Sequence, residues 1–179
     1  MGSDGNVYST NATLPSGVTK RAMIGYVSET GHGIAIELNS SPSTGTWYVA
    51  QHRSMTAVTG GTWRMPSLAD WQNMVTGCGG AEGFITKYDA TGVSLYLPES
   101  SDQRGPTQFW TSDYIYGEDY VVGEVFVPNK YDDVTVVELS VTDIQSTPQY
   151  SFRDYTVRVP KNQSAPSQNT AYSLYCLAF

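Results

Sequence analysis

Short apolar runs separated by turns dominate the chain. The run at residues 22–27 is continuously apolar, and a second run at residues 33–38 follows it after a short turn at residues 30–32. Two such runs joined by a short turn that contains Gly predict an antiparallel β-hairpin. Residues 47–50, Trp-Tyr-Val-Ala, are a candidate third strand.

One segment has clear helical periodicity. Leu68, Trp71 and Val75 recur at intervals of three and four residues, which places them on one face of a helix. Ser67 precedes this segment and is suited to the N-cap, because its hydroxyl can accept a hydrogen bond from a free amide of the first turn. The glycine-rich stretch 77–80 supplies a stop signal, so we expect a helix of about ten residues after Ser67.

Beyond this helix, β-branched and aromatic residues dominate and favour strands. The predicted strands lie at residues 93–97, 108–111, 121–127, 134–139, 150–157 and 172–179. The polar segment 160–170 is rich in Pro, Ser and Gln and predicts a surface loop, because the last apolar strand must return to the core. We expect the two ends of the chain to meet in one sheet.

No repeat or linker divides the chain. Its 179 residues fall in the range of a single domain that can bury a core of its own. We therefore expect residues 1–179 to form one α+β domain, built mainly of antiparallel sheets with one or two helices and long loops in the second half.

The net charge of the chain makes some classes of binding partner unfavourable. The net charge is −7 and the sequence pI is about 4.6, which opposes binding to the phosphate backbone of nucleic acids or to an anionic membrane. No apolar run reaches the roughly 18–20 residues that a transmembrane helix needs. We expect neither a nucleic-acid partner nor a transmembrane segment.

Composition also bears on location. The chain has a charged fraction of only 15% and abundant Ser, Thr, Tyr, Gly and Asn, a composition common among secreted bacterial β-rich proteins. Residues 1–5 lack the charged segment followed by an apolar stretch that marks an export signal. We expect an exported protein, extracellular or at the cell surface, whose signal lies outside this sequence.

The sequence contains two cysteines, Cys78 and Cys176, and neither belongs to a CxxC motif or a Cys/His cluster. This spacing does not favour a metal site built on soft ligands. The two thiols form either one long-loop disulfide or two separately buried small apolar side chains.

Four short motifs occur in a recurring order. They are GHGIAIEL at residues 31–38, WRMPSLADW at 63–71, FWTSD at 109–113 and YCLAF at 175–179. In this order they resemble the C-type-lectin-like domains of Bacteroidetes surface proteins, some of which lie at the ends of fimbrial and lipoprotein chains. The resemblance covers nearly the whole chain, apart from an insertion-like stretch at residues 113–169 and Tyr175 in a position where the family usually has an arginine-type residue.

The resemblance implies a helix-bearing first half, a loop-rich second half and a last strand that pairs near the first. It also implies a bridge between Cys78 and Cys176, since a helix cysteine often pairs with the final strand in relatives of the fold. The same fold occurs in oxidases that use neighbouring reactive cysteines and in iron enzymes that use several histidines. This chain has neither arrangement.

The sequence offers no catalytic constellation. Neither His32 nor His52 has another histidine, a cysteine or a serine motif near it in the sequence. We therefore expect each to be a turn or packing residue that hydrogen-bonds the backbone. The triplets that bind calcium and sugar in C-type lectins are also absent. We therefore expect no catalytic residue, no metal and no cofactor.

Aromatic and acidic residues alternate in the stretch 110–120. Tyrosines with interleaved carboxylates can stack on a sugar face and bind its hydroxyls, and tyrosine also suits protein interfaces. The candidate ligand-binding residues are Asp113, Tyr114, Tyr116, Glu118 and Asp119. The alternative is that the tyrosines only cover a sheet.

Other aromatic residues are expected in the core. Trp63 and Trp71 border the predicted helix as core anchors, and Trp110 is expected to pack inside. Arg64 is expected to pair with a buried carboxylate beneath the tryptophans.

The favoured function is a non-catalytic surface module that binds a glycan or protein in an adhesin-like manner through its second-half loops. The alternative is a structural or assembly subunit of a surface or fimbrial complex, which donates or accepts a strand. An aromatic-lined concave patch would favour the first, and an unprotected sheet edge the second.

Overall fold

Two larger sheets, a small ribbon and three helices make up the described part of the chain. The computed structural model describes residues 1–9, 11–52, 63–95, 97–161 and 171–179. The helices are α1 (Trp47–Gln51), α2 (Leu68–Gly77) and α3 (Ala81–Asp89). The strands are β1 (Ala22–Val27), β2 (Gly33–Glu37), β3 (Thr44–Gly45), β4 (Trp63–Arg64), β5 (Gln103–Ile115), β6 (Tyr120–Val122), β7 (Val125–Val127), β8 (Tyr131–Thr142), β9 (Gln149–Pro160), β10 (Ala171–Tyr172) and β11 (Cys176–Ala178). This is an α+β protein with mainly antiparallel sheets, as expected.

The first sheet joins the two ends of the chain. Its strand order is β1-β2-β11-β4, and β1 and β2 form the predicted antiparallel hairpin. The last strand, β11, lies between β2 and β4. The N–H of Gly33 donates to the carbonyl of Phe179 at 2.9 Å, and the N–H of Phe179 donates to the carbonyl of Gly33 at 3.1 Å. The expected meeting of the two ends in one sheet is confirmed.

The second sheet is larger, with strand order β3-β10-β5-β8-β9. Its three long strands, β5, β8 and β9, pair antiparallel in sequence order. Since successive side chains of a strand point to opposite faces, this sheet buries residues on both sides. Phe109 and Val137 belong to one hydrophobic cluster, whereas the adjacent Trp110 and Val136 belong to a second.

The main core lies between the two sheets and helices α2 and α3. The Trp71 ring centroid is 5.5 Å from that of Phe109 and 5.9 Å from that of Phe84, and all three side chains are buried. Trp110 is also buried, with its indole N–H donating to the carbonyl of Gly45 at 2.9 Å. Trp71 and Trp110 are therefore core residues, as predicted, and Trp63 is half-buried against the second cluster.

Helix α2 begins after Ser67 and has ten residues, as predicted. The Ser67 hydroxyl accepts from the N–H of Asp70, and the Asp70 carboxylate accepts from the N–H of Ser67. This reciprocal pair is a capping box, which satisfies two free amides at the helix start.

Arg64 pairs with Asp70, which confirms the expected ion pair with a buried carboxylate. One guanidinium nitrogen of Arg64 lies 2.9 Å from Oδ1 of Asp70, and a second contacts Oδ2. Burial alone would raise the pKa of the Asp70 carboxyl, but the hydrogen bonds from Arg64 and Ser67 outweigh it and lower the pKa below its ordinary value. The pair links β4 to the start of α2.

Several strand predictions were wrong. Residues 47–50 form helix α1 instead of a third strand, with Trp47 and Ala50 buried on its inner side. The described residues of 93–97 form a loop instead of a strand. Side chains hold this loop: the N–H of Leu95 donates to the Asp89 carboxylate at 2.8 Å, and the guanidinium of Arg104 lies 3.4 Å from the Ser94 hydroxyl.

The segment 121–127, predicted as one strand, belongs instead to a hairpin of β6 and β7. The chain reverses at Gly123, which adopts a positive φ of 63° and begins a two-residue turn. The predicted strand at 172–179 is divided between two sheets, with β10 in the second and β11 in the first. Helix α3 was not predicted. The second half is built of long strands rather than long loops, and most of the polar segment 160–170 lies outside the described residues.

The expected bridge between the cysteines is not formed: Cys78 and Cys176 are both free and buried. The thiol of Cys78, at the C-cap of α2, lies 3.6 Å from the carbonyl of Gly25 in β1. Cys176 lies in β11, and β2 separates that strand from β1. Burial raises the pKa of both thiols, to about 12 for Cys176, so both are poor nucleophiles.

Gly25 is required by the close approach of α2 to β1. A Cβ atom at this position would lie 2.6 Å from Cγ of Met74 and 3.2 Å from its Cα. We expect Gly25→Ala to lower the free energy of unfolding by about 1–3 kcal/mol, because the helix must move to relieve the overpacking. Urea denaturation measures this change. Gly45→Ala is the matched control, since a Cβ there meets no atom within 4 Å, and equal losses in the two variants would contradict the prediction.

Asp70→Asn should make the free energy of unfolding less dependent on pH in the acidic range. The pKa of Asp70 is lower in the folded protein than its ordinary value of 3.8, so its contribution is present at neutral pH and is lost as the pH falls through the folded pKa. We expect the variant to be less stable than wild type by about 1–3 kcal/mol at pH 7, with a smaller gap below pH 3.8. Urea titrations across this range measure the gap; Asp154→Asn, at an exposed position of β9, is the control. A gap that does not change with pH would show that the ion pair is not the cause.

Candidate ligand-binding site

An aromatic cleft lies where β5 ends, β8 begins and β9 ends, beside helix α1. It has a volume of about 350 Å³. The side chains that line it come from four separate segments of the chain: Trp47, Tyr48, Gln51, His52, Tyr114, Tyr116, Asp132, Pro160 and Lys161. We refer to this site as the aromatic cleft.

Helix α1 forms one wall of the aromatic cleft. Trp47 anchors the helix, because its ring is buried and its indole N–H donates to the carbonyl of Thr111 in β5 at 2.7 Å. Tyr48 and His52 follow on the outer side with their rings stacked, 4.5 Å apart at an interplanar angle of 21°. The Nδ1 atom of His52 lies 2.9 Å from the carbonyl oxygen of Tyr48, which is the backbone contact expected of this histidine.

Tyr114 and Tyr116 form a second wall. Tyr114 is 50% exposed and its ring centroid lies 5.0 Å from that of Trp47. Tyr116 is 58% exposed. These two predicted residues are therefore brought together in one concave surface, and each is at least half exposed to solvent.

A charged pair forms the floor between the two walls. The Nζ atom of Lys161 lies 3.8 Å from the buried carboxylate of Asp132 and 3.5 Å from the ring centroid of Tyr116, and it donates to the carbonyl of Gly117. Asp132 also accepts from the N–H of Gly117 at 2.9 Å. The ammonium and carboxylate charges therefore offset each other within the floor, and Tyr116 is held in place by a cation–π contact.

The other three predicted residues do not line the aromatic cleft. The Asp113 carboxylate accepts from the backbone N–H of Leu68, so it helps to cap helix α2. The Asp119 carboxylate accepts from the N–H of Asn129 at 2.7 Å and braces the base of the β6–β7 hairpin. Glu118 is exposed beside it. Two of these acids thus have local structural roles.

The cleft residues outside 110–120 could not be found from the sequence pattern. Tyr48 and His52 lie in a segment whose apolar residues suggested a strand, and Asp132 lies one residue into β8. Strand pairing brings them together: Ile115 is opposite Asp133, and Tyr131 is opposite Pro160. The only local signal was the density of aromatic residues.

A second exposed feature is the β6–β7 hairpin, residues 120–127, which we call the ribbon. Tyr120, Val121, Val122, Val125 and Phe126 are each between 52% and 65% exposed. Alternate residues point to opposite faces, so both faces of the ribbon are apolar and open. A two-stranded hairpin is marginally stable in water without further packing, and contiguous exposed apolar surface commonly marks an interaction site.

The aromatic cleft can stack flat apolar faces and hydrogen-bond polar groups at their edges. Across the described ranges, no cluster of three His, Cys, Asp or Glu side chains is suited to hold a metal ion. The other histidine, His32, is exposed in the β1–β2 turn, where its carbonyl accepts from the N–H of Ser28 at 2.7 Å.

Comparison with known proteins gives no relative, since no family model, curated protein or solved structure matches the chain. In the part of the chain that the structure describes, none of the helices has the length and apolar character needed to cross a bilayer.

Proposed function

We propose that this protein is a non-catalytic, exported surface module that binds a neutral glycan in the aromatic cleft. The observation that carries this proposal is the grouping of Tyr48, Tyr114 and Tyr116 around a concave surface. Sugar rings present flat C–H faces and a rim of hydroxyls, and partly exposed tyrosines match both through their rings and their phenol groups.

The charge of the aromatic cleft favours a neutral ligand over an acidic one. Lys161 is already bound by Asp132, Gly117 and the ring of Tyr116, so an acidic sugar would have to compete with these contacts. The net charge of −7 adds a long-range repulsion of anions. Gln51 and His52 also line the aromatic cleft, and their side chains can hydrogen-bond sugar hydroxyls.

The order of elements supports a C-type-lectin-like arrangement as part of this proposal. A hairpin comes first, helices α2 and α3 follow, a second sheet comes next, and the final strand returns beside the hairpin. The resemblance of the four sequence motifs to Bacteroidetes surface domains agrees with this order. Location at the cell surface is part of the same proposal.

A glycan array probed with the purified chain tests glycan binding. We expect wild type to bind neutral glycans equally with calcium and with chelator. The Tyr114→Ala, Tyr116→Ala double variant should bind at least tenfold more weakly, which corresponds to about 1.4 kcal/mol or more, because both stacking faces are lost.

Tyr120→Ala is the matched control, because this tyrosine is exposed to a similar degree but lies on the ribbon. It should keep wild-type affinity. Failure of wild type to bind any neutral glycan, or an equal loss in the control, would reject the aromatic cleft as a glycan site.

The ribbon favours a second candidate function, an assembly subunit of a surface complex. Its apolar faces are both open, so a neighbouring copy that receives the ribbon in a groove could cover both. Such a head-to-tail contact does not close on itself and builds chains. The long edge strand β9 is a weaker candidate for the contact, since Arg153, Asp154 and Arg158 place charges along it, which oppose edge-to-edge pairing.

Light scattering as a function of protein concentration tests this candidate. An assembly subunit should form oligomers that grow with concentration, and Val121→Asp with Phe126→Asp should return it to a monomer, because each charge would be buried in the contact. Val49→Asp, at an exposed position on α1, is the control. A wild-type chain that stays monomeric at all concentrations would contradict self-assembly through the ribbon.

A further inference from the structure

A second cavity, separate from the aromatic cleft, lies between the N-terminal segment and β1. Its volume is about 310 Å³, and it shares no lining residue with the aromatic cleft. The apolar part of its lining includes Val7, Leu14, Ala22, Met23, Ile24 and Leu38. We call it the N-terminal cavity.

Backbone hydrogen bonds hold the N-terminal segment over this cavity. The N–H of Ser3 donates to the carbonyl of Thr19 at 2.8 Å, and the N–H of Arg21 donates to the carbonyl of Met1 at 3.0 Å. The hydroxyl of Tyr8, which also lines the cavity, donates to the carboxylate of Asp4 at 2.6 Å. The first three residues are therefore tied to the chain that leads into β1, and the Tyr8–Asp4 contact fixes the shape of the segment between them.

The charged side chains that line the N-terminal cavity belong to two lysines, and the α-ammonium group of the lining residue Met1 donates to the carbonyl of Ala22 at 2.7 Å. Lys20 and Lys87 line it, and no carboxylate side chain among the described residues does, although the Asp4 carboxylate accepts from the lining residue Tyr8. Acidic residues outnumber basic ones 17 to 10 in the chain. Both lysines are exposed, which places their ammonium groups on the solvent side of the cavity. Lys20 is oriented by its Nζ atom, which donates to the carbonyl of Thr91 at 2.8 Å.

The apolar interior of the N-terminal cavity and the lysines near its opening together indicate which class of ligand would fit. Apolar side chains line the interior, so the burial of a hydrocarbon chain there is favourable. Two ammonium groups near the opening attract one negative charge, and they do so against the overall acidity of the protein. The volume is at the lower end for small-molecule sites, which suits a chain of about eight carbons rather than a long lipid.

We propose that the N-terminal cavity binds a small amphipathic carboxylate, with its hydrocarbon chain against Met23, Ile24 and Leu38 and its carboxylate between Lys20 and Lys87. This site is independent of the glycan proposal, because the two cavities are lined by different elements. It assigns a ligand class to a surface for which the resemblance to surface domains gave no role.

Calorimetric titration with octanoate tests the proposal, with octanamide as the uncharged probe of the same chain length. We expect octanoate to bind at least tenfold more tightly than octanamide. The Lys20→Gln, Lys87→Gln double variant should lose this tenfold preference and bind both probes alike. Both positions are exposed, so the variant should fold as wild type does. Lys130→Gln, which removes a lysine outside the cavity, is the matched control and should keep the preference.

Methyl NMR spectra locate the bound probe. Octanoate should shift the resonances of Met23, Ile24 and Leu38 and leave the indole signal of Trp47, in the aromatic cleft, unchanged. Absence of octanoate binding, equal binding of the two probes by wild type, or shifts confined to the aromatic cleft would each overturn the proposal. Retention of the preference in the double lysine variant would also overturn it.

Discussion

The segment 171–179 holds the two large sheets together, and the rest of the fold depends on it. Its first residues form β10 in the second sheet, and its last form β11 in the first. Tyr175 lies at the crossing: its N–H donates to the buried Glu37 carboxylate at 3.0 Å, and its hydroxyl donates to the carbonyl of Ala50 at 2.7 Å. Because Ala50 belongs to α1, the residue whose backbone N–H binds the first sheet also fixes a wall of the aromatic cleft through its side-chain hydroxyl. A buried tyrosine with both polar groups satisfied is well suited to this position.

The aromatic cleft depends on how the three long strands β5, β8 and β9 pair with one another. The pairings of β5 with β8 and of β8 with β9 set the distance between Tyr116, Asp132 and Lys161. The Lys161–Asp132 pair then fixes the floor, and Trp47 fixes α1 against β5 through Thr111. The site thus lies at the ends of paired strands and beside a helix that is anchored by a buried side chain, which preorganises its aromatic faces for a ligand.

Local signals predicted those parts of the fold that local chemistry determines. The β1–β2 hairpin follows from its turn, and α2 follows from Ser67, Asp70 and the spacing of Leu68, Trp71 and Val75. Helix α1 was not predicted because Trp-Tyr-Val favours a strand by propensity. In the folded protein, burial of Trp47 beside Thr111 favours the helix instead. Of the candidate site, Tyr114 and Tyr116 were predicted. Asp132 and Lys161 were not, because only long-range pairing brings them to the tyrosines.

The place of β11 between β2 and β4 also bears on how the chain folds. Cys176 pairs with Ile36 across most of the length of the sequence, and contacts between residues so far apart close slowly, because a long loop must be ordered first. During synthesis the first hairpin emerges early, but the edge of β2 stays without its partner until β11 has also emerged. The first sheet can therefore be completed only after β11 has left the ribosome, and until then its open edge must be kept from pairing with other strands.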